Sequence, residues 1–285
     1  MIAASPALSP AARQTAHRAA YQGVPGAFSE QAAQVLVGAD TPLLPCPTLD
    51  DVLRAVQTGR ASEAIIPIEN SLAGTVPRAY ELLVDHELTA IAETRLRIDH
   101  MLIARPGTRL DDVRQVHSHP VALNQCRRFI AAHGLTPVAA FDTAGAVEAL
   151  MREGGGSDAA IASRRAAERH GGVILAERIQ DQLENWTRFL RLVPAQHAPA
   201  MRGRNGIVTF RLRHEPGSLS RALSLLAAAG LNLTKIESRP IPDRPFEYAF
   251  LIEVTAQHAD PDWPELLAPL ETFAVGSRLI AAYGA

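Results

Sequence analysis

Between Tyr21 and Gly172, a short run of small and β-branched residues gives way five times to a hydroxyl, amide or acidic residue, and then to a segment of helical period. Strands alternating with helices in this way specify an α/β fold. The junctions are 21–29 leading into a helix over 30–37, 64–68 followed by Glu69-Asn70-Ser71, 113–116 followed by Ser118-His119-Pro120, 138–141 followed by Asp142-Thr143, and 159–162 followed by Ser163. Pro120 falls at the first turn of a helix over 121–132, where its missing N–H does no harm, and Gly134 closes that helix. Ser, Thr, Asn and Asp are ordinary N-caps, so one such junction alone carries no function. Several facing one crevice do. In open α/β sheets the ligand lies outside the carboxyl ends of the strands, where unpaired amides at helix N-termini favour anions. None of the junctions has the glycine pattern and following lysine of a phosphate loop, which points to a small organic dianion and away from a nucleotide.

The pattern changes beyond a stretch broken by Pro and Gly at 194–206. Val208, Phe210 and Leu212 alternate with polar residues as a half-buried strand, and Leu219, Ala222, Leu223 and Leu226 share one helix face after Gly217-Ser218. Strands over 231–238 and 246–255, a helix over 263–273 and a strand over 276–283 complete a ferredoxin-like β-α-β-β-α-β unit. A domain this small leaves a sheet edge or helix ends to protect, and pairing with a second copy protects them. The expected organisation is a leader without order over 1–18, a two-lobed domain over 19–194, a linker over 195–205 and the ferredoxin-like domain over 206–285.

Composition narrows the partners. Of 285 residues 47% are hydrophobic and 20% charged, and the formal net charge is −2, so there is material for more than one core and no overall basic field for nucleic acid or an anionic membrane. No apolar run approaches the roughly 20 residues of a membrane-spanning helix. Cys46 and Cys126 are too few for a disulfide framework and fit a reducing cytoplasm. His117 and His119 alternate but lack a third ligand at a spacing suited to a metal.

The least ordinary stretch is Asn185-Trp186-Thr187-Arg188-Phe189, which puts a hydroxyl, a permanent cation and two aromatic rings within five residues. A buried guanidinium needs a partner and a Thr hydroxyl in an apolar wall needs a hydrogen bond, so packing alone does not ask for this mixture. Thr187-Arg188-Phe189 stands with Gly23-Val24-Pro25-Gly26-Ala27-Phe28-Ser29-Glu30, Pro67-Ile68-Glu69-Asn70-Ser71, Ser118-His119-Pro120-Val121-Ala122-Leu123-Asn124-Gln125-Cys126 and Asp142-Thr143-Ala144. In these motifs, their order and their spacing, the chain resembles the prephenate dehydratases. Its tail resembles an ACT regulatory domain through Gly217-Ser218-Leu219 and Glu237-Ser238-Arg239-Pro240.

The resemblance implies two lobes like those of periplasmic solute-binding proteins, with the active site between them. It also implies the decarboxylative dehydration of prephenate to phenylpyruvate with no cofactor and no metal, and L-phenylalanine bound between subunits of a homo-oligomer, a dimer or a tetramer. Arogenate is the alternative substrate, and a non-catalytic solute-binding module is the distant alternative. The segment before Tyr21 is too short for the chorismate mutase bundle of some relatives, so a monofunctional chain is expected.

By resemblance Thr187 serves the leaving group, and physically it does so as a hydrogen-bond donor, since a Thr hydroxyl is a poor acid. Arg188 is suited to clamp a substrate carboxylate, the alternative being an internal ion pair with Glu69 or Asp142. Asn70 and Gln125 donate and accept without repelling a dianion. Glu69 either pairs with an arginine or stays protonated as a proton source. Phe189 packs against the substrate ring or fills the core. Ser29, Ser71, Ser118, Thr143 and Ser163 supply short donors, and His119 caps its junction or touches the substrate. The effector pocket is expected from Gly217, Leu219, Asn232, Leu233, Glu237, Ser238, Arg239 and Pro240, with Gly-Ser-Leu-Ser standing where the family has Gly-Ala-Leu-Ala.

Overall fold

The computed structural model describes residues 17–200, 202–241, 244–258 and 261–284; apart from its last two residues, the leader expected over 1–18 lies outside the described residues. The first lobe contains β1 (Ala19–Gln22), α1 (Phe28–Val37), β2 (Leu43–Cys46), α2 (Leu49–Gln57), β3 (Glu63–Asn70), β4 (Gly74–Thr75), α3 (Pro77–Asp85) and β5 (Leu88–Arg97). The second contains β6 (Met101–Ala104), β7 (Gln115–Ser118), α4 (Pro120–Gln125), α5 (Arg127–Ala132), β8 (Thr136–Ala139), α6 (Thr143–Glu153), β9 (Asp158–Ala162), α7 (Arg164–His170) and β10 (Val173–Ala176). Strand β11 (Trp186–Pro194) then returns to the first lobe.

In the first lobe the strands run β5-β11-β3-β1-β2, with β1 parallel to β2 and β3, and β11 antiparallel to both its neighbours. In the second they run β10-β6-β9-β7-β8, with β7 parallel to β8 and β9. The central strands are apolar on both faces because helices cover them. Ala64, Ile65, Ile66 and Ile68 of β3 and Ala159–Ala162 of β9 are all buried.

Two crossings, 98–100 and 177–185, join the lobes side by side, and Ile98 N donates to Asn185 O across them at 2.8 Å. A second contact ties the lobes where α1 meets α7: Ser163 Oγ donates to Gly26 O at 2.8 Å and Arg165 pairs with Glu30 at 2.8 Å. Gly26 has φ +94°, and a Cβ there would lie 2.8 Å from Ala166 Cα, so this approach requires glycine.

Two local expectations change. The helix expected over 121–132 breaks at Cys126 into α4 and α5. Asp181 N donates to Gln125 O at 2.7 Å and Asp181 Oδ1 accepts from Arg128 N at 3.1 Å, so the returning crossing takes the backbone groups that a continuous helix would use. Strand β3 also runs on through Glu69 and Asn70, expected beyond its end, because β11 pairs Arg188 with Glu69 and Thr187 with Asn70. A bulge follows between Arg188 and Phe189, and Pro67, which has no N–H to give a ladder, stands beside it.

The tail forms β12 (Asn205–Arg211), α8 (Ser218–Ala228), β13 (Leu231–Ile241), β14 (Arg244–Ala256), α9 (Trp263–Phe273) and β15 (Ser277–Tyr283), in the sheet order β13-β14-β12-β15. This unit is docked on the first lobe. Strand β15 extends the lobe's sheet through Ala281 opposite Ala90, and Ile207, Leu251 and Ile280 share one core with Ile66, Leu83 and Leu190. Arg278 closes the contact from the side: its Nη2 donates to Leu83 O at 2.6 Å and Val84 O at 3.0 Å, and its Nη1 to His86 O at 3.3 Å, satisfying carbonyls at the end of α3. Strand β13 is the outer edge of the sheet. Among the described residues, no helix is long and apolar enough to cross a membrane.

Candidate active site

A cavity of about 690 Å³ opens between the lobes, walled by the starts of helices and floored by β3 and β11. Phe28 and Ser29 of α1, Leu49 of α2, Pro77 of α3, Val121 of α4 and Thr143 of α6 all reach it. Thr48 caps α2 by accepting from Asp51 N at 3.1 Å, Asp142 caps α6 by accepting from Gly145 N at 2.5 Å, and His119 Nδ1 accepts from Val121 N at 3.2 Å. Ala27, at the start of α1, brings no capping side chain, and while Glu30 N donates to Ala27 O at 3.1 Å, the amides of Phe28 and Ser29 are left for the cleft. Among the described residues lining the cavity the guanidinium is that of Arg78, and it is already paired with Asp50 and Glu81. An anion held here is met mainly by neutral donors and helix dipoles.

The pleat of β11 sends Thr187 and Phe189 into the cavity and Arg188 to the reverse face of the sheet. Thr187 belongs to a side-chain network whose donors and acceptors follow from one fixed point. Asn70 Oδ1 accepts from Leu72 N at 3.0 Å and Ala73 N at 2.8 Å, so its Nδ2 must be the end that faces β11. Nδ2 donates to Thr187 Oγ1 at 3.0 Å and Asn185 Oδ1 at 2.7 Å, with Trp186 O within reach at 3.2 Å. Asn185 Nδ2 therefore faces Gln125 Oε1, at 3.0 Å, and His100 must donate to that same oxygen from Nε2, at 2.9 Å. Since Thr187 Oγ1 accepts from Asn70, its own proton is left to point into the cleft.

His100 is 2% exposed, stands edge-on to Phe28, and has no hydrogen-bond partner for Nδ1 among the described residues. Burial holds its pKa below the ordinary histidine value, against the opposing effect of the hydrogen bond it donates to Gln125. The imidazole is thus a neutral donor that anchors one end of the network. Asn185, fully buried, is its centre.

The prephenate dehydratase family profile matches residues 19–197, and the ACT domain profile matches residues 206–262. The chain belongs to the prephenate dehydratase family. Among its relatives, "Arogenate dehydratase/prephenate dehydratase 2, chloroplastic" of Arabidopsis thaliana is 39% identical over 93% of this chain and 72% of its own length. The "Bifunctional N-acyl-homoserine lactone acylase/prephenate dehydratase" of Komagataeibacter europaeus is 39% identical over 93% of this chain and 95% of its own. Among solved structures, prephenate dehydratase of Arthrobacter aurescens in complex with L-Phe aligns with a TM-score of 0.85 at 30% identity, covering 94% of this chain and 90% of that one. The two-lobed, periplasmic-binding-protein-like fold with a C-terminal ACT domain is therefore this chain's fold, and its family chemistry is of the hydro-lyase type.

Of the family motif residues, Asn70, Gln125, Thr187, Phe189, Ser29, His119 and Thr143 line the cleft. Others do not. Arg188, expected as a carboxylate clamp, is buried behind the sheet among Glu253, Glu93 and Glu69, because alternation along β11 puts it opposite Thr187. Glu69, expected either to pair with an arginine or to stay protonated as a proton source, faces the same way and takes the pairing, 3.6 Å from Arg188 and 2.8 Å from Lys235.

Ser118 is fully buried and donates to Ile161 O at 2.6 Å, and Ser163 is spent on the lobe contact with Gly26 and on capping α7. Ser71 accepts from Trp186 N at 2.9 Å at the rim, fastening β3 to β11. His100 and the role of Asn185 escaped sequence reasoning. The available signals were a lone histidine after a strand end and an amide opening the Trp-Thr-Arg-Phe stretch.

In the ACT domain, Gly217 takes φ +82° at the start of α8, and Leu219 lines a 160 Å³ pocket with Tyr248 and Phe250. Asn232 and Leu233 lie exposed on β13. Glu237 packs against Thr75 and Arg239, while Arg239 and Pro240 line a separate cavity against the end of α3; Ser238 stays exposed. One chain therefore does not bring the two halves of the expected effector pocket together.

Proposed function

We propose that the cleft converts prephenate to phenylpyruvate. The observation that carries this reading is the fixed direction of the Asn70–Thr187 hydrogen bond, which leaves a hydroxyl donor aimed into a cleft walled by helix starts. In the reaction the bond to the ring carboxylate breaks and releases carbon dioxide. Its electron pair enters the ring π system, and the C–O bond opposite breaks toward hydroxide. Thr187 donates to the departing oxygen as charge develops there, and the donor needs no reorganisation because Asn70, Asn185, Gln125 and His100 already hold it. Amides at the start of α1 and the neutral donors of the cleft hold the carboxylates so that the two breaking bonds align with the ring. Phe28 and Phe189 offer an apolar wall for the aromatic product.

Thr187→Ala should lose about 10²–10³ in kcat, the usual loss when one oxyanion donor is removed, and Thr187→Ser should keep most of the rate. An alanine variant within a few-fold of the natural protein would refute the assignment. Arogenate is the second reading, supported by relatives named for both substrates. The two differ in a keto or amino group, and rates on both purified substrates decide between them.

L-phenylalanine control is the companion proposal. It is supported by the L-Phe complex of the Arthrobacter relative, by the free edge of β13, and by the separation of the Gly217–Leu219 pocket from Glu237–Pro240 within one chain. A homo-oligomer, dimer or tetramer, would unite these parts from two chains. L-phenylalanine should lower activity and shift the sedimentation profile. The two buried free thiols suit a cytoplasmic setting.

A further inference from the structure

Thr187 and Arg188 are neighbours on β11, one facing the cleft and the other the ACT domain. The Arg188 side chain is 12% exposed. Its Nη1 meets Glu253 Oε2 at 2.7 Å, its Nη2 donates to Tyr283 Oη at 3.2 Å, and its Nε lies 3.1 Å from Glu93 Oε2. Glu253 and Tyr283 belong to β14 and β15 of the ACT domain. The other oxygen of Glu253 accepts from Tyr80 of α3 at 2.8 Å, so the carboxylate is fixed from both sides. Burial works against the Arg188 charge, but the Glu253 hydrogen bond, Tyr283 and the surrounding carboxylates outweigh it and keep the guanidinium ionised. A planar fork held in this way has little freedom to turn, and its strand moves with it.

We infer that Arg188 is a positioning residue through which the ACT domain sets where the Thr187 hydroxyl points. The inference rests on the reading of the cleft given above. Its geometry is local. Arg188 shares a peptide bond with Thr187, the lobe crossing ends at Asn185, two residues before Thr187, and a β-bulge against β3 follows between Arg188 and Phe189, so the ladder to β3 is irregular beside Thr187 while the ladder to β5 runs on through it. A shift of β14 is passed through Glu253 and Arg188 to a donor held by one 3.0 Å bond from Asn70. Displacing a catalytic group by about 1 Å is enough to cost on the order of 10²-fold in rate.

The test uses the full chain and three variants. Glu253→Gln keeps the shape and removes the charge, Tyr283→Phe removes one hydroxyl, and Arg278→Gln loosens the docking of the ACT domain at α3, away from β11. Each is measured for kcat and KM and, without substrate, for amide hydrogen exchange along β11 and β1. Glu253→Gln should lower kcat about 10–100-fold with KM little changed, and should speed exchange over 186–190 while β1 stays as it was. Tyr283→Phe should do the same to a smaller extent, and Arg278→Gln should leave kcat and exchange over 186–190 close to the natural protein.

Unchanged exchange over 186–190 in both Glu253→Gln and Tyr283→Phe overturns the inference, as does faster exchange with kcat intact, or an equal effect from Arg278→Gln. A natural protein that turns over neither prephenate nor arogenate overturns the reading of the cleft instead. The exchange data, which need no substrate, still decide whether Arg188 anchors the strand.

Discussion

Replacing Asn70 by Asp separates an oriented donor from a merely polar site. The side chain keeps its size, and its carboxylate still accepts from Leu72 and Ala73 as Oδ1 does now. The end facing β11 becomes an acceptor. Thr187 then donates to the aspartate instead of to the departing oxygen, and Asn185 loses its donor as well. Removing a donor from the developing charge costs about 2.7–4 kcal/mol. A carboxylate some 5 Å from one charge of a dianion adds about 3 kcal/mol of repulsion at an effective dielectric near 20.

Together these effects put Asn70→Asp at least about 10³-fold down in kcat/KM at neutral pH. Asn70→Ala loses a neutral hydrogen bond of about 1 kcal/mol but leaves the Thr187 proton free, so it should retain more activity than the isosteric Asp variant. Lowering the pH should partly restore Asn70→Asp, because the protonated acid donates again. Steady-state rates of both variants between pH 5 and 8 measure this. An Asp variant as active as the Ala variant, with no recovery toward low pH, would refute the orientation argument.

Two further outcomes follow from the same geometry. His100 is held neutral by burial, so its folded pKa lies below the value of 6.5 that it takes when exposed; the unfolded chain gains a proton first as pH falls, and stability drops below about pH 6.5, by up to about 1.4 kcal/mol per pH unit for one proton. Urea unfolding from pH 7.5 to 5 should show a flatter curve for His100→Asn, and parallel curves would remove His100 as the cause. Gly26→Ala places a Cβ 2.8 Å from Ala166 Cα at φ +94° and should cost about 2–5 kcal/mol in unfolding free energy, whereas a loss under about 0.5 kcal/mol would show that the lobes part freely there.

The alternation of apolar strands with helices was legible in the sequence because both periodicities are local: Ile65, Ile66 and Ile68 announce a covered strand, and Leu219, Ala222 and Leu226 a helix face. The motifs likewise placed Asn70, Gln125 and Thr187 in one cleft, since Asn70 and Thr187 sit at strand ends and Gln125 on the helix that follows one, where an α/β sheet turns toward its crevice. What sequence could not assign was the side of the sheet on which Arg188 and Glu69 lie. That choice depends on the register of β3 against β11 and on a bulge beside Pro67, and one residue of slip reverses it.

Nor could sequence find that His100 and Asn185 meet Gln125, because those positions are separated by 25 and 60 residues and come together only where the two crossings run side by side. The sequence by itself determined which elements form and which chemical groups are available. The tertiary structure decided which of them share a face, because a side chain's direction is set by pleat and pairing partner, and one of the two partners of β11, β3, is a strand more than a hundred residues away.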